Sequence, residues 1–113
     1  MSECIFCRIV AGELPSHAVY EDDELLVFND IHPVAPIHWL IIPKAHVESL
    51  AHCGPEHEAL LGRMLLLGAK LAREHGLTDG FRTAIHTGRA GGQVVFHLHV
   101  HIVGGNESKT PIG

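Results

Sequence analysis

Five strand-like segments and one long helix predict a fold of mixed class, a sheet covered by a helix. Three stretches carry that expectation. Residues 94–103, Val-Val-Phe-His-Leu-His-Val-His-Ile-Val, alternate apolar and imidazole side chains with the period of a strand. Residues 39–42, Trp-Leu-Ile-Ile, are a short apolar run suited to a central strand. Residues 55–75 place Leu60, Leu61, Met64, Leu65, Leu67, Gly68, Leu71 and Ala72 at helical spacing, a stripe wide enough to cover a sheet.

In chain order, Ile5, Phe6, Ile9 and Val10 are spaced for a short N-terminal helix, stopped by Gly12 and Pro15. Residues 18–20 and 25–28 read as a hairpin around the acidic turn Glu21-Asp22-Asp23-Glu24. Asn29, Asp30 and Pro33 mark a loop, and residues 44–50 read as a short helix after the central strand. For the long helix, Pro55 suits the first turn, Glu56 and Glu58 its positive end, and Gly76 its stop. His57 and His75 are expected to be solvated ends of that helix. Residues 81–87 read as a further strand, joined to the histidine-rich one by the glycine-rich connection 88–93. If those two strands run antiparallel, His86 lies near the histidine face, and Gly91 and Gly92 let backbone N–H groups approach an anion.

The chain of 113 residues and 12.3 kDa is expected to form one domain, 1–113, with 106–113 as a loose tail. Its net charge of −5 and the lack of a Lys/Arg cluster give nucleic-acid binding no electrostatic footprint. A basic, apolar leader is not apparent, nor is an apolar run of membrane-spanning length, so the reading is a cytoplasmic protein with reduced cysteines and no membrane partner.

His97, His99 and His101 would stand on one strand face about 6.6 Å apart. An exposed polar face that happens to be histidine-rich is the bland explanation, and paired flanking glycines argue against it. Neighbouring histidines can share one metal ion, but the outer pair, about 13 Å apart, cannot converge on it. A central nucleophilic histidine with two flanking partners uses all three. Cys4 and Cys7 form an isolated C-x-x-C pair, which by itself leaves redox chemistry, structural zinc and two buried thiols open.

Together these residues resemble the histidine triad superfamily, in its branch of histidine triad nucleotide-binding (Hint-type) proteins. The signature His-x-His-x-His with apolar residues after it is matched at 97–103. Cys4-Ile5-Phe6-Cys7, Phe28-Asn29-Asp30-Ile31, Ile41-Ile42-Pro43-Lys44-Ala45-His46 and Gly91-Gly92-Gln93 fall in that family's order, and Gly104-Gly105 follow as in the Hint branch. The resemblance covers nearly the whole chain. It implies an α+β fold, with about five antiparallel strands, one long helix and a short N-terminal helix, in a homodimer whose sheets join.

It also implies an activity: hydrolysis of purine nucleoside phosphoramidates and related nucleotidyl compounds at the α-phosphorus. His99 is then the nucleophile that forms a nucleotidyl-histidine intermediate. The His97 backbone carbonyl orients the His99 ring, and His101 hydrogen-bonds the phosphate or leaving group. Gly92 and Gln93 are implied as backbone donors to the phosphoryl oxygens, Asp30 as the ribose acid, and Phe6, Ile9, Phe28, Asn29 and Ile31 as the base pocket. Plain core packing competes for the apolar members of that set. Zinc-containing members of the superfamily imply a structural Zn²⁺ on Cys4, Cys7, His46 and His97; two reduced thiols near the core are the alternative.

Two positions depart from the pattern. His86 stands where the family usually has an amide contacting the phosphate, and Val94 stands where Hint-type members often carry a serine that helps the leaving group. Three readings follow: a nucleotidyl hydrolase of the phosphoramidase type; a nucleotide-binding or scaffold protein with weak activity; and a small metal-binding oxidase or hydrolase using His97 and His99. A dinucleoside polyphosphate hydrolase is a variant of the first.

Overall fold

A computed structural model describes residues 3–105; the tail expected at 106–113 lies outside the described residues. The elements are α1 (Ile5–Val10), β1 (Ala18–Glu21), β2 (Leu25–Asn29), β3 (Ile37–Pro43), α2 (Glu58–Glu74), β4 (Arg82–Ala84) and β5 (Val100–Gly104). The strands form one five-stranded antiparallel sheet in the order β1-β2-β3-β5-β4. This is the α+β architecture expected.

Strands β2 and β3 are nearly continuous apolar runs because both of their faces are covered. On one face, Leu25, Val27, Trp39, Ile41, Val100 and Ile102 pack against Met64, Leu67 and Leu71 of α2. On the other, Leu26, Phe28, Leu40 and Ile42 pack under Phe6 of α1. The period-two rule therefore turns His38 and His101 toward the α1 side, since their strand neighbours Trp39, Val100 and Ile102 face α2. The tight hairpin between β1 and β2 rests on Asp22, whose Oδ1 accepts the N–H groups of Glu24 and Leu25 at 2.8 Å. Arg63 of α2 reaches Asp22 and Glu24 across the surface.

Several local expectations are corrected. Only residues 100–104 of the histidine-rich stretch join the ladder; residues 94–99 are irregular. Their hydrogen bonds go sideways instead: Leu98 N–H donates to Val47 O at 2.7 Å, and the Gln93 amide donates to Glu48 O and Val95 O. The same bonds explain why residues 44–50 are not a helix. Ordinary strand alternation fails at Phe96, which is exposed.

A single 3₁₀ turn, Leu50–His52, follows Ser49, and another, Pro55–His57, precedes α2. Strand β4 is three residues, shorter than the 81–87 read from sequence, and β3 continues through Pro43 at the sheet's end. Leu65, assigned to the buried stripe, is exposed. His57 and His75 are not idle: His57 Nδ1 accepts Gly54 N–H at 3.0 Å, and the His75 ring packs edge-on against Trp39 at 4.8 Å.

Gly68 sits where α2 lies close over Ile41 and Ile102 of the sheet. A Cβ there would lie 2.8 Å from Ile102 Cδ1 and 3.0 Å from Ile41 Cδ1, whereas a Cβ at Gly62 of the same helix meets nothing within 4 Å. Gly68→Leu should lose about 2 kcal/mol of stability by overpacking. Gly62→Ala should gain roughly 0.5–1 kcal/mol by helix propensity and reduced unfolded-chain entropy. Urea unfolding of both variants beside the parent chain checks the opposite signs.

Candidate functional site: an imidazole row beside a Cys/His cluster

The α1 face of the sheet carries two adjoining groups of side chains, and His97 belongs to the first. It is fully buried. Its Nε2–H donates to Pro43 O at 2.8 Å, so the neutral ring keeps its lone pair on Nδ1. That nitrogen lies 3.3 Å from Cys4 Sγ, 3.6 Å from Cys7 Sγ and 3.2 Å from His46 Nδ1, with Cys7 Sγ 3.4 Å from His46 Nδ1. A tetrahedral zinc with ordinary bond lengths has N–N edges of about 3.3 Å and S–N edges of about 3.6 Å. The four residues thus have the donor set and the spacing of a closed zinc site, all four ligand atoms lying within 4.8 Å of one another.

The second group is a row of imidazoles. The His99 ring donates from Nδ1–H to His97 O at 2.7 Å, as expected, which leaves the Nε2 lone pair for chemistry. Phe6 packs edge-on against His99 at 5.2 Å and against His97 at 5.8 Å, holding both rings in place. His101 follows at 5.0 Å from His99, with His38 5.2 Å and His86 5.0 Å from its ring. Val34 N–H donates to His38 Nδ1 at 3.2 Å, so the neutral His38 ring carries its proton on Nε2. That Nε2–H points at His101 Nδ1, 3.0 Å away, and more weakly at Asp30 Oδ2, 3.3 Å away. With Nδ1 accepting, His101 presents Nε2–H as a donor.

Burial decides the charge of this row. It pushes His38, His97 and His99 below the ordinary imidazole pKa, outweighing the opposing pull of Asp30 on His38 and His99. His101 is pushed down to about 4, by burial first and by its neighbours His99, His38 and His86 next. These lowered values favour neutral rings at His38, His99 and His101, and a neutral imidazole is the form that can act as a nucleophile.

The other expected site residues divide. Phe6 and Phe28, 5.5 Å apart edge to face, are buried core, while Ile9 is half-buried and Asn29 and Ile31 are exposed. Asp30 Oδ1 accepts His32 N–H at 2.8 Å and Oδ2 faces His38, leaving further lone pairs toward the row. His86 is exposed beside His101 and Val94 is 85% exposed.

The N–H groups of Gly92 and Gln93, implied as phosphate donors, bond inside their own turn in this structure, to Arg89 O at 3.0 Å and Gly88 O at 2.9 Å. The buried Gln93 amide is a staple: its Oε1 accepts Gly88 N–H and its Nε2 bonds Glu48 O and Val95 O. His38 joins the site beside His101 although it belongs to no motif in the sequence. Its signal was one polar residue at the head of the apolar run Ile37-His38-Trp39-Leu40.

Comparison with known proteins identifies the family. A family model described as "Scavenger mRNA decapping enzyme C-term binding" matches residues 3–111. Protein HitA of Neisseria gonorrhoeae is 58% identical over 92% of this chain and 97% of its own length. The chain belongs to the histidine triad superfamily. A crystal structure of a HIT family hydrolase from Legionella pneumophila superposes with a TM-score of 0.94 at 40% identity, covering 98% of this chain and all of that one. A zinc-bound histidine triad family protein from Mycobacterium smegmatis is 39% identical with a TM-score of 0.82, covering 95% of this chain and 78% of its own.

The lowered pKa values of His38 and His101 make stability depend on pH. Both groups bind protons more readily unfolded than folded, so the stabilisation is complete above the unfolded value near pH 6.5. It is lost as pH falls toward about 4, where folded His101 titrates. Unfolding free energy in urea should therefore drop from pH 7 to pH 4.5. His101→Gln, which removes one titrating group, should flatten that slope, and chemical denaturation at the two pH values with each protein tests it.

Proposed function

We propose that this chain is a nucleotidyl hydrolase of the phosphoramidase type, acting on purine nucleoside phosphoramidates and related nucleotidyl compounds. The observation that carries the reading is the orientation of His99: Nδ1–H tied to His97 O at 2.7 Å and a neutral ring with its lone pair on Nε2. In the first half-reaction, His99 Nε2 attacks the α-phosphorus and displaces the leaving group, giving a nucleotidyl-histidine. In the second, water attacks phosphorus and restores His99. The Nε2–H of His101 hydrogen-bonds a phosphoryl oxygen and stabilises the charge that grows there.

The nucleoside end lies over α1. Asp30 accepts the ribose hydroxyls, and Ile9, Asn29 and Ile31 border the base above the Phe6–Phe28 floor. The hydrolase name of the Legionella relative supports the reaction class. A binding protein of weak turnover is the second reading, favoured by Val94, whose apolar and exposed side chain has no proton to offer a leaving group.

The working form is one catalytic domain per chain in a cytoplasmic homodimer. Leu65 and Leu66 are exposed on α2, the latter at 73%, and β4 is an outer strand of the sheet; both features support a second copy joining there. Among the described residues no helix is long and apolar enough to cross a membrane.

Zinc is held by Cys4, Cys7, His46 and His97, supported by the tetrahedral spacing of their donors and by the zinc-bound mycobacterial relative. It supplies no step of the reaction. It ties the N-terminal segment to the catalytic stretch and fixes His97, whose carbonyl orients His99. Protein purified without chelator should contain about one zinc per chain by elemental analysis. Stripping the metal should lower Tm by roughly 10 °C, restored on adding zinc. Metal-free protein with an unmoved Tm would refute the site.

The reaction itself is tested by turnover of an adenosine phosphoramidate, with and without chelator. His99→Ala and His99→Gly should abolish turnover, by a factor on the order of 10⁴ or more, while still binding adenosine monophosphate. Near parental hydrolysis by His99→Ala, with loss in His97→Ala, would reassign the nucleophile.

A further inference from the structure

A leaving amine needs a proton when its bond to phosphorus breaks. His99 uses its Nε2 lone pair in the attack and its Nδ1–H on His97 O, while His38 spends its Nε2–H on His101 Nδ1 and His101 turns its own Nε2–H to a phosphoryl oxygen. Val94 has none to give. His86 differs from the rest of the row: it follows β4, faces solvent, and lies with its ring 5.0 Å from that of His101 at 39°. An imidazole in contact with water can pick up and pass on a proton at the edge of the site, which the buried rings are not placed to do. The groups facing it are His101 of β5 and His99, with His38 and Asp30 behind His101 from the β3 and β2 side.

Resting on the hydrolase reading above, we infer that His86 is the general acid for the leaving group and then the general base for water. In the first half-reaction, the His99 Nε2 lone pair forms the bond to phosphorus. The P–N bond of the substrate breaks with its electron pair going to the leaving nitrogen, which takes a proton from the His86 imidazolium. In the second, neutral His86 takes a proton from the attacking water as the P–Nε2 bond breaks and its pair returns to His99. The imidazolium is regenerated, and each turnover consumes one water and releases nucleotide and amine.

The inference predicts which substrates need His86. An alkylamine leaving group must be protonated; p-nitrophenolate, from the p-nitrophenyl ester of adenosine monophosphate, need not be. His86→Asn should lower kcat/KM for the alkyl phosphoramidate on the order of 100-fold, and at least tenfold more than for the p-nitrophenyl ester. The fall of kcat/KM with rising pH, present for the alkyl substrate in the parent enzyme, should be absent in His86→Asn. In His86→Ala, added imidazole should restore alkylamine cleavage in proportion to its concentration, which a purely structural role for the ring would not permit. Equal losses on both substrates, or none on either, would overturn the assignment of His86 while leaving the hydrolase reading standing. Failure of the parent enzyme on both substrates would overturn the hydrolase reading and this inference with it.

Discussion

His97 is the residue on which the rest of the site depends, because three separate atoms of it are committed at once. Its Nε2–H is held by Pro43 O at the end of β3, its Nδ1 faces the two thiols and His46, and its carbonyl receives the His99 ring. Full burial makes those bonds hard to exchange for water, so the ring has one orientation and one tautomer. Through it, the position of α1 and the direction of the His99 lone pair become one variable. A side chain placed on an irregular stretch, outside any ladder, needs such an anchor to keep one orientation, since sheet hydrogen bonds do not hold it.

The sheet contributes by separating two jobs. Its α2 face is apolar across β2, β3 and β5 and supplies the burial that stabilises the fold. Its opposite face is apolar only beneath α1, where Leu26, Phe28, Leu40, Ile42 and Phe6 pack, and becomes imidazole-rich where β3 and β5 emerge from that cover. The boundary runs through Phe6, which is both core residue and the wall against His97 and His99.

What the sequence made legible follows from the range of each interaction. The sheet strands, α2 and the triad were readable because period-two and period-3.6 patterns are local, as were the four Cys/His donors through their resemblance to a known family. The irregularity of residues 94–99 was not, because alternation persists in the sequence while the bonds that override it come from Val47 and Glu48. His38 was hidden for a similar reason: its importance lies in a contact 63 residues away, with His101. The commitment of the Gly92 and Gln93 N–H groups depends on a turn whose closure no spacing rule specifies.

Why the site uses imidazole in place of stronger cations follows from the same burial. A lysine ammonium on this face would carry a desolvation cost that only a paired carboxylate offsets, and Asp30 already shares its oxygens with His32 N–H and His38. A neutral imidazole avoids that cost and still offers both a lone pair and an N–H. Which end does which is decided by backbone groups at a distance. Pro43 O fixes His97, whose own carbonyl fixes His99 with its lone pair outward; Val34 N–H fixes His38, which fixes His101 with its N–H outward. Two chains of hydrogen bonds, each beginning at a main-chain atom, thus turn two chemically identical side chains into an electron-pair donor and a hydrogen-bond donor set side by side.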